Sequence, residues 1–236
     1  MNQELANVIK IYSTGTHSEL SSYLIGKSKD TLIGMLVDLL TMYINDKNSS
    51  TIREFITVTL AGYTHKVRKI GYNGFKQDDF ISGKTIKCEA KPKNIDTEEF
   101  EKYERGERKT RPSKLNGGGN FTDYTPMRLQ KDKEEKDLNM LVSGFIDGKL
   151  VYILEFPFNS PDFVRNLEKK IEKWETKLNG SRDVKGQFLR SADFDYKDFI
   201  YSPHLKIIYL LSKSELEKYK PYISSGFFEF LFSKSK

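Results

Sequence analysis

A mixed α/β (α+β) layer architecture is what the sequence predicts, on three observations. Apolar residues recur at helical spacing before residue 66, the pattern switches to two-residue alternation from Lys69, and a helix stands between strands after Met140.

Each element follows from local chemistry. Residues 30–44 (DTLIGMLVDLLTMYI) predict an amphipathic helix, with Asp30 as its cap and Ile33, Leu36, Val37, Leu40 and Ile44 as its apolar stripe. NDKNSS breaks it, and Ser50 is placed to cap a second helix over 51–66, striped by Ile52, Phe55, Ile56, Thr59, Leu60 and Tyr63. Residues 70–81 and 84–91 predict two strands turning at Ser82-Gly83. The charged segment TEEFEKYERGERK predicts helix, and the glycine cluster LNGGGNFTDYTPMRL predicts irregular structure. LVSGFI and KLVYILEFPF flank Asp147-Gly148, a short-hairpin signal. Ser160-Pro161 opens a helix whose stripe is Phe163, Leu167, Ile171, Trp174 and Leu178. A buried strand from Leu205 (LKIIYLL), a short charged helix and the aromatic tail SSGFFEFLF close the chain. With no repeat and no low-complexity linker, the expectation is one domain over 1–236. It comprises an N-terminal helical region of about 1–66, a hairpin of about 69–92 and a charged, Gly-rich insert of about 96–136.

Composition narrows the class. A charged fraction of 31 % of mixed sign beside 37 % hydrophobic residues excludes wholesale disorder. A net charge of +6 permits an anionic partner. The single cysteine, Cys88, excludes an internal disulfide and suits a reducing compartment. The opening MNQELANVIK lacks a signal-like apolar run, and the stretch 32–44 is short for a bilayer and contains Asp38. The expected location is cytoplasmic, with no membrane partner.

The most informative segment is KTIKCEAKPKN, residues 84–94. Read as a strand, it points Ile86, Cys88 and Ala90 to a core and Lys87, Glu89 and Lys91 to the other face. Phosphodiester hydrolysis with Mg²⁺ needs oxygen ligands, a water-activating group and charge neutralisation at phosphorus. Asp79 and Glu89 can supply carboxylates, the Ala90 carbonyl a third ligand, and Lys91 the ammonium beside the attacking water. Cys88 reads as a small core residue, and His17, His65 and His204 show no metal-ligand spacing.

Asp79, nine intervening residues and then Glu89-Ala90-Lys91 resemble the PD-(D/E)xK nuclease superfamily, known best from type II restriction endonucleases. Glu54 stands on the preceding helix, where members of that family often carry a glutamate. Asp78 replaces the family's frequent proline, which leaves open whether Asp78 or Asp79 is the ligand; Phe80 and Ile81 behind it favour Asp79. The motif covers 51–91. The resemblance implies a restriction-endonuclease-like core, a mixed central β-sheet flanked by helices. It also implies a catalytic set of Asp79, Glu89, Lys91 and Glu54, with Mg²⁺ held by Asp79, Glu89 and Ala90.

The basic run 102–114 leads into a polar, glycine-rich segment suited to DNA. Arg111, Lys114, Asn116, Gly117, Gly118, Gly119, Asn120, Thr122, Asp123, Tyr124, Thr125 and Arg128 are the candidate contacts there, with Lys87 on the catalytic face. The expected activity is Mg²⁺-dependent cleavage of double-stranded DNA by a homodimeric type II restriction enzyme paired functionally with a DNA methyltransferase. The alternatives are a structure-specific or repair nuclease of the same superfamily and a non-catalytic nucleic-acid-binding protein.

Overall fold

Four helices come first, α1 (Gln3–Thr14), α2 (His17–Ile25), α3 (Lys29–Asn45) and α4 (Thr51–Leu60). The structure, a computed structural model, describes residues 3–45, 50–66, 71–77, 83–179 and 189–236. Thr16 and Glu19 cap α2 reciprocally, each side chain accepting from the other residue's main-chain N–H. At α3 the cap is Ser28, whose Oγ accepts from Thr31 N at 3.2 Å, and not Asp30, which lies inside the first turn. The second predicted helix stops at Leu60, six residues before its expected end at 66. Gly62 adopts φ +80°, and the chain turns into a short strand, β1 (Thr64–His65).

Of the predicted strand 70–81, the described part contains β2 (Gly74–Gln77), which runs antiparallel to β3 (Thr85–Ile95). After β3 come α5 (Thr97–Glu104), capped by Asp96, then β4 (Gly119–Tyr124) and α6 (Pro126–Glu134). The glycine cluster therefore enters regular structure, contrary to expectation. β4 pairs antiparallel with β7 (Leu189–Phe194), a strand whose residues LRSADF carry no sustained alternation of apolar and polar side chains.

The next hairpin, β5 (Leu138–Ile146) and β6 (Lys149–Pro157), forms as predicted. Asp147 and Gly148 both take positive φ, 48° and 77°, the twist that a two-residue hairpin requires. Next comes α7 (Pro161–Asn179), which buries Phe163, Leu167 and Ile171 and leaves Trp174 half-exposed. Each fully buried side chain there contributes roughly 1.5–3 kcal/mol. The last strand, β8 (Lys206–Leu210), is a half-exposed sheet edge and not the buried strand expected. Helices α8 (Lys213–Lys218) and α9 (Ser225–Lys234) follow, and α9 folds the aromatic tail inward on Phe227, Phe228 and Leu231.

The main sheet has the order β1-β2-β3-β5-β6-β8. Only β3 and β5 pair in parallel, and α5, β4 and α6 form the crossover between them. The sheet is thus mixed and flanked by helices. One face packs on α1, α3 and α4 through Leu5, Ile9, Met35, Ile56 and Val58. The other carries a larger aromatic core with Phe121, Phe156, Phe158, Phe163 and Phe227. On the α4 side, buried Glu155 accepts from Tyr63 Oη (2.7 Å), Asn139 Nδ2 (2.6 Å) and Lys76 Nζ (3.4 Å), which pins β2 to β5 and β6. Among the described residues, no helix is long and apolar enough to cross a membrane.

Candidate active site

Strand β3 alternates as its sequence demands. Cys88 and Ala90 are buried against Val58, Tyr63 and Leu141, with Ile86 packed beside them. Burial pushes the Cys88 thiol far up, as suits a core residue. Glu89 faces the opposite side and is only 6 % exposed. Lys91 Nζ donates to its Oε1 at 2.7 Å, and Arg128 Nη2 approaches the same oxygen at 3.5 Å. The two cations compensate a carboxylate that burial would otherwise penalise. Lys91 Nζ also lies 4.5 Å from the centre of the Phe121 ring.

The β2–β3 pairing ends at Gly74 opposite Cys88, so β3 has an open edge from residue 89 onward. Asn73 closes its first step. The Asn73 N–H donates to the Cys88 carbonyl (2.9 Å), and its Oδ1 accepts from Ala90 N–H (2.7 Å). Its Nδ2 donates to Glu54 Oε2 on α4 (3.2 Å). One amide side chain thus ties the helix-borne Glu54 to the strand beside Glu89. In an extended strand both main-chain groups of a residue leave the same edge, so the Ala90 carbonyl faces this junction as well. Asn73 is a site residue that motif spacing misses. Counting back across a turn at Ser82-Gly83 lands on Lys76, whereas the register, with Gly74 opposite Cys88, brings Asn73 beside Glu89. Asp78 and Asp79 lie outside the described residues.

A cleft of about 480 Å³ opens here, lined by Ser50, Glu54, Ala90, Lys91, Pro92, Lys93, Asn116, Gly118, Gly119, Asn120, Asp193 and Phe194. It brings together Glu54, Lys91 and part of the glycine segment, which lie far apart in sequence. Two glycines are required by contact. Gly117 has φ +66° and sits against Phe227 and Tyr196, while a Cβ on Gly119 would meet Lys91 Cβ at 2.7 Å. The segment is therefore a packed wall of the cleft and not a loose loop.

The candidate DNA contacts separate accordingly. Arg111, Asn120, Thr122 and Asp123 are exposed, and Asn120 Oδ1 accepts from Ser191 Oγ at 2.8 Å. Asn116 lines the cleft and accepts from Gly118 N–H at 3.2 Å. Lys114 is half-buried, its carbonyl taken by Lys93. Thr125 caps α6 by accepting from Arg128 N–H at 3.0 Å. Tyr124 is fully buried and donates to Asp132 Oδ2 at 2.9 Å, so it belongs to the core and not to a DNA-facing surface. Gly117 and Gly118 are likewise buried, with only Gly118 reaching the cleft. Lys87 is ion-paired to Glu135 and lies over the Tyr72 ring. Arg128, expected at DNA, stands between Glu89 and Asp132 (3.8 Å). Burial raises the Asp132 pKa above the ordinary carboxylate range.

Among the described residues, no group of three or more His, Cys, Asp or Glu side chains gathers to hold a metal. The donors near the open edge are the carboxylates of Glu54 and Glu89 and the Ala90 carbonyl. They are hard oxygens of the kind Mg²⁺ takes, an ion that keeps water and substrate oxygens in its shell. By donor chemistry these groups suit Mg²⁺, but of them only Glu54 and Ala90 line the cleft, while the Glu89 carboxylate is taken by Lys91 and Arg128. No protein-family model matches the chain, and no curated protein matches it in sequence.

Proposed function

We propose that the chain is a Mg²⁺-dependent endonuclease of double-stranded DNA, built on a restriction-endonuclease-like core and acting as a type II restriction enzyme. The observation that carries this reading is the Glu89–Lys91 pair at an open strand edge, beside a cleft that also receives Glu54. Glu89, the Ala90 carbonyl, Glu54 and Asp79 would hold the ion. When bound, Mg²⁺ acidifies water and neutralises charge that develops on phosphate oxygens. Lys91 orients the attacking water and faces the charge on phosphorus. Arg128 leaves Glu89 for a phosphate when DNA enters, which frees the carboxylate. Cutting both strands of a symmetric site calls for two copies of the chain, and a DNA methyltransferase would protect the host's own sites.

The test is incubation of plasmid DNA with the protein and Mg²⁺. Discrete fragments that vanish with EDTA, and with Glu89→Ala or Lys91→Ala, are the expected result. Full cleavage by either variant overturns the site assignment. A second reading, a non-catalytic nucleic-acid-binding protein, draws on the neutralisation of Glu89 by two cations. It is favoured if DNA is bound but left intact.

A further inference from the structure

The cleft holds a second lysine that the motif does not use. Lys93 lies two residues beyond Lys91 on the same face of β3, about 6.6 Å further along the strand. Lys76, Lys87 and Lys91 each have a carboxylate partner, in Glu155, Glu135 and Glu89. Lys93 has none among the described residues. Its Nζ donates to the Lys114 carbonyl at 3.0 Å, and burial holds its pKa below the ordinary lysine range. A half-buried ammonium compensated by one carbonyl dipole is under-solvated, and it gains from an anion entering the cleft that it lines. Asn116 stands in the same lining, its Oδ1 already accepting from Gly118, so its amide end completes a polar wall.

We propose that Lys93, with Asn116, forms a phosphate subsite that holds the nucleic-acid backbone one nucleotide away from the phosphate at Lys91. The lysines follow β3, so the bound strand runs along the open edge of the sheet between α4 and the glycine wall. This rests on the reading of DNA as the substrate, and it adds which residue anchors the neighbouring phosphate.

The experiment measures binding of a labelled duplex by fluorescence anisotropy in EDTA, across a salt series, for wild type, Lys93→Met, Lys93→Arg and the remote control Lys10→Ala. Each neutralised phosphate contributes about 0.9 to the slope of log affinity against log salt. Lys93→Met is expected to weaken binding and reduce the slope by about 0.9. Lys93→Arg should restore the slope, and Lys10→Ala should leave it unchanged. A wild-type slope in a folded Lys93→Met overturns the subsite, even where wild type cleaves with Mg²⁺. Lys93-dependent binding without any cleavage supports the subsite while removing the nuclease reading. Absence of duplex binding by wild type removes both.

Discussion

Lys91 Nζ lies 2.7 Å from Glu89 Oε1, and the two side chains retain only 18 % and 8 % of their exposure. An ion pair this buried contributes in two ways that mutation separates. Removing either partner alone strands a charge in the interior, at a cost of about 3–5 kcal/mol for a fully buried pair, and the loss of Lys91 costs less than the loss of Glu89 because Arg128 stays beside the carboxylate. Glu89→Gln and Lys91→Met are each expected to lower the urea midpoint and to reduce cleavage at least about 100-fold. The double variant Glu89→Gln/Lys91→Met should recover most of the stability and none of the cleavage. Recovery of cleavage would show the pair to be structural only.

Asn73 carries the second prediction, because its side chain satisfies Ala90 N–H and Glu54 together. Asn73→Ala leaves an edge amide without its partner and releases Glu54, costing about 1–3 kcal/mol. Cleavage should fall about 10- to 100-fold while circular dichroism stays unchanged. Asn73→Asp keeps the acceptor for Ala90 but sets a carboxylate against Glu54. Its stability should therefore fall between those of wild type and Asn73→Ala when Mg²⁺ is absent, and it should rise when Mg²⁺ is added. An Asn73→Ala variant with wild-type cleavage would exclude a positioning role.

The legible parts of this fold are those in which local chemistry and tertiary environment agree. Asp147-Gly148 specifies its hairpin, the Phe163–Ile171 stripe specifies α7, and the alternation around Glu89 separates core from site. Where partners decide, the pattern is mute. Ile33, Leu36, Val37 and Leu40 of the α3 stripe satisfy every helical rule and still face outward, because periodicity does not say which stripe will find a covering layer. A glycine cluster in sequence signals conformational freedom, whereas Gly119 is set by the approach of Lys91. β7 escapes because its strand character comes from pairing with β4 and not from its own residues. Asn73 escapes because the motif asks for a carboxylate and register, not spacing, puts a residue beside Ala90.

His65 gives a pH prediction independent of activity. It packs edge-on against Phe55, ring centres 5.7 Å apart, and burial lowers its pKa below the ordinary histidine value. The folded state therefore binds this proton less readily than the unfolded chain does. The His65 contribution is complete above the unfolded pKa of about 6.5 and is lost as pH falls from there through the lower folded value. Urea unfolding between pH 7.5 and 5 should show a decline in wild type that is smaller in His65→Phe. Equal slopes in the two proteins would refute burial as the cause.

Self-association carries the last prediction. Leu32, Ile33, Leu36, Val37 and Leu40 fall on one side of α3, and Leu36 is 55 % exposed at its centre. The aromatic tail helix α9 offers no comparable face, because its Phe227, Phe228 and Leu231 are packed into the core. A two-fold axis near Leu36 would set α3 antiparallel to its copy, each Leu32 near the other's Leu40, in a self-complementary contact. A contiguous exposed apolar stripe is the kind of surface by which proteins associate. Leu36→Glu places one charge from each copy at the axis, where the two repel without a partner. Sedimentation velocity should then show a dimer in wild type and a monomer in Leu36→Glu, with the unfolding midpoint of the monomer little changed because Leu36 is more than half exposed and joins none of the buried clusters among the described residues. On the proposed nuclease reading, with both strands cut in one encounter, the variant should also accumulate nicked plasmid before linear product. A dimer that survives Leu36→Glu would move the interface off α3.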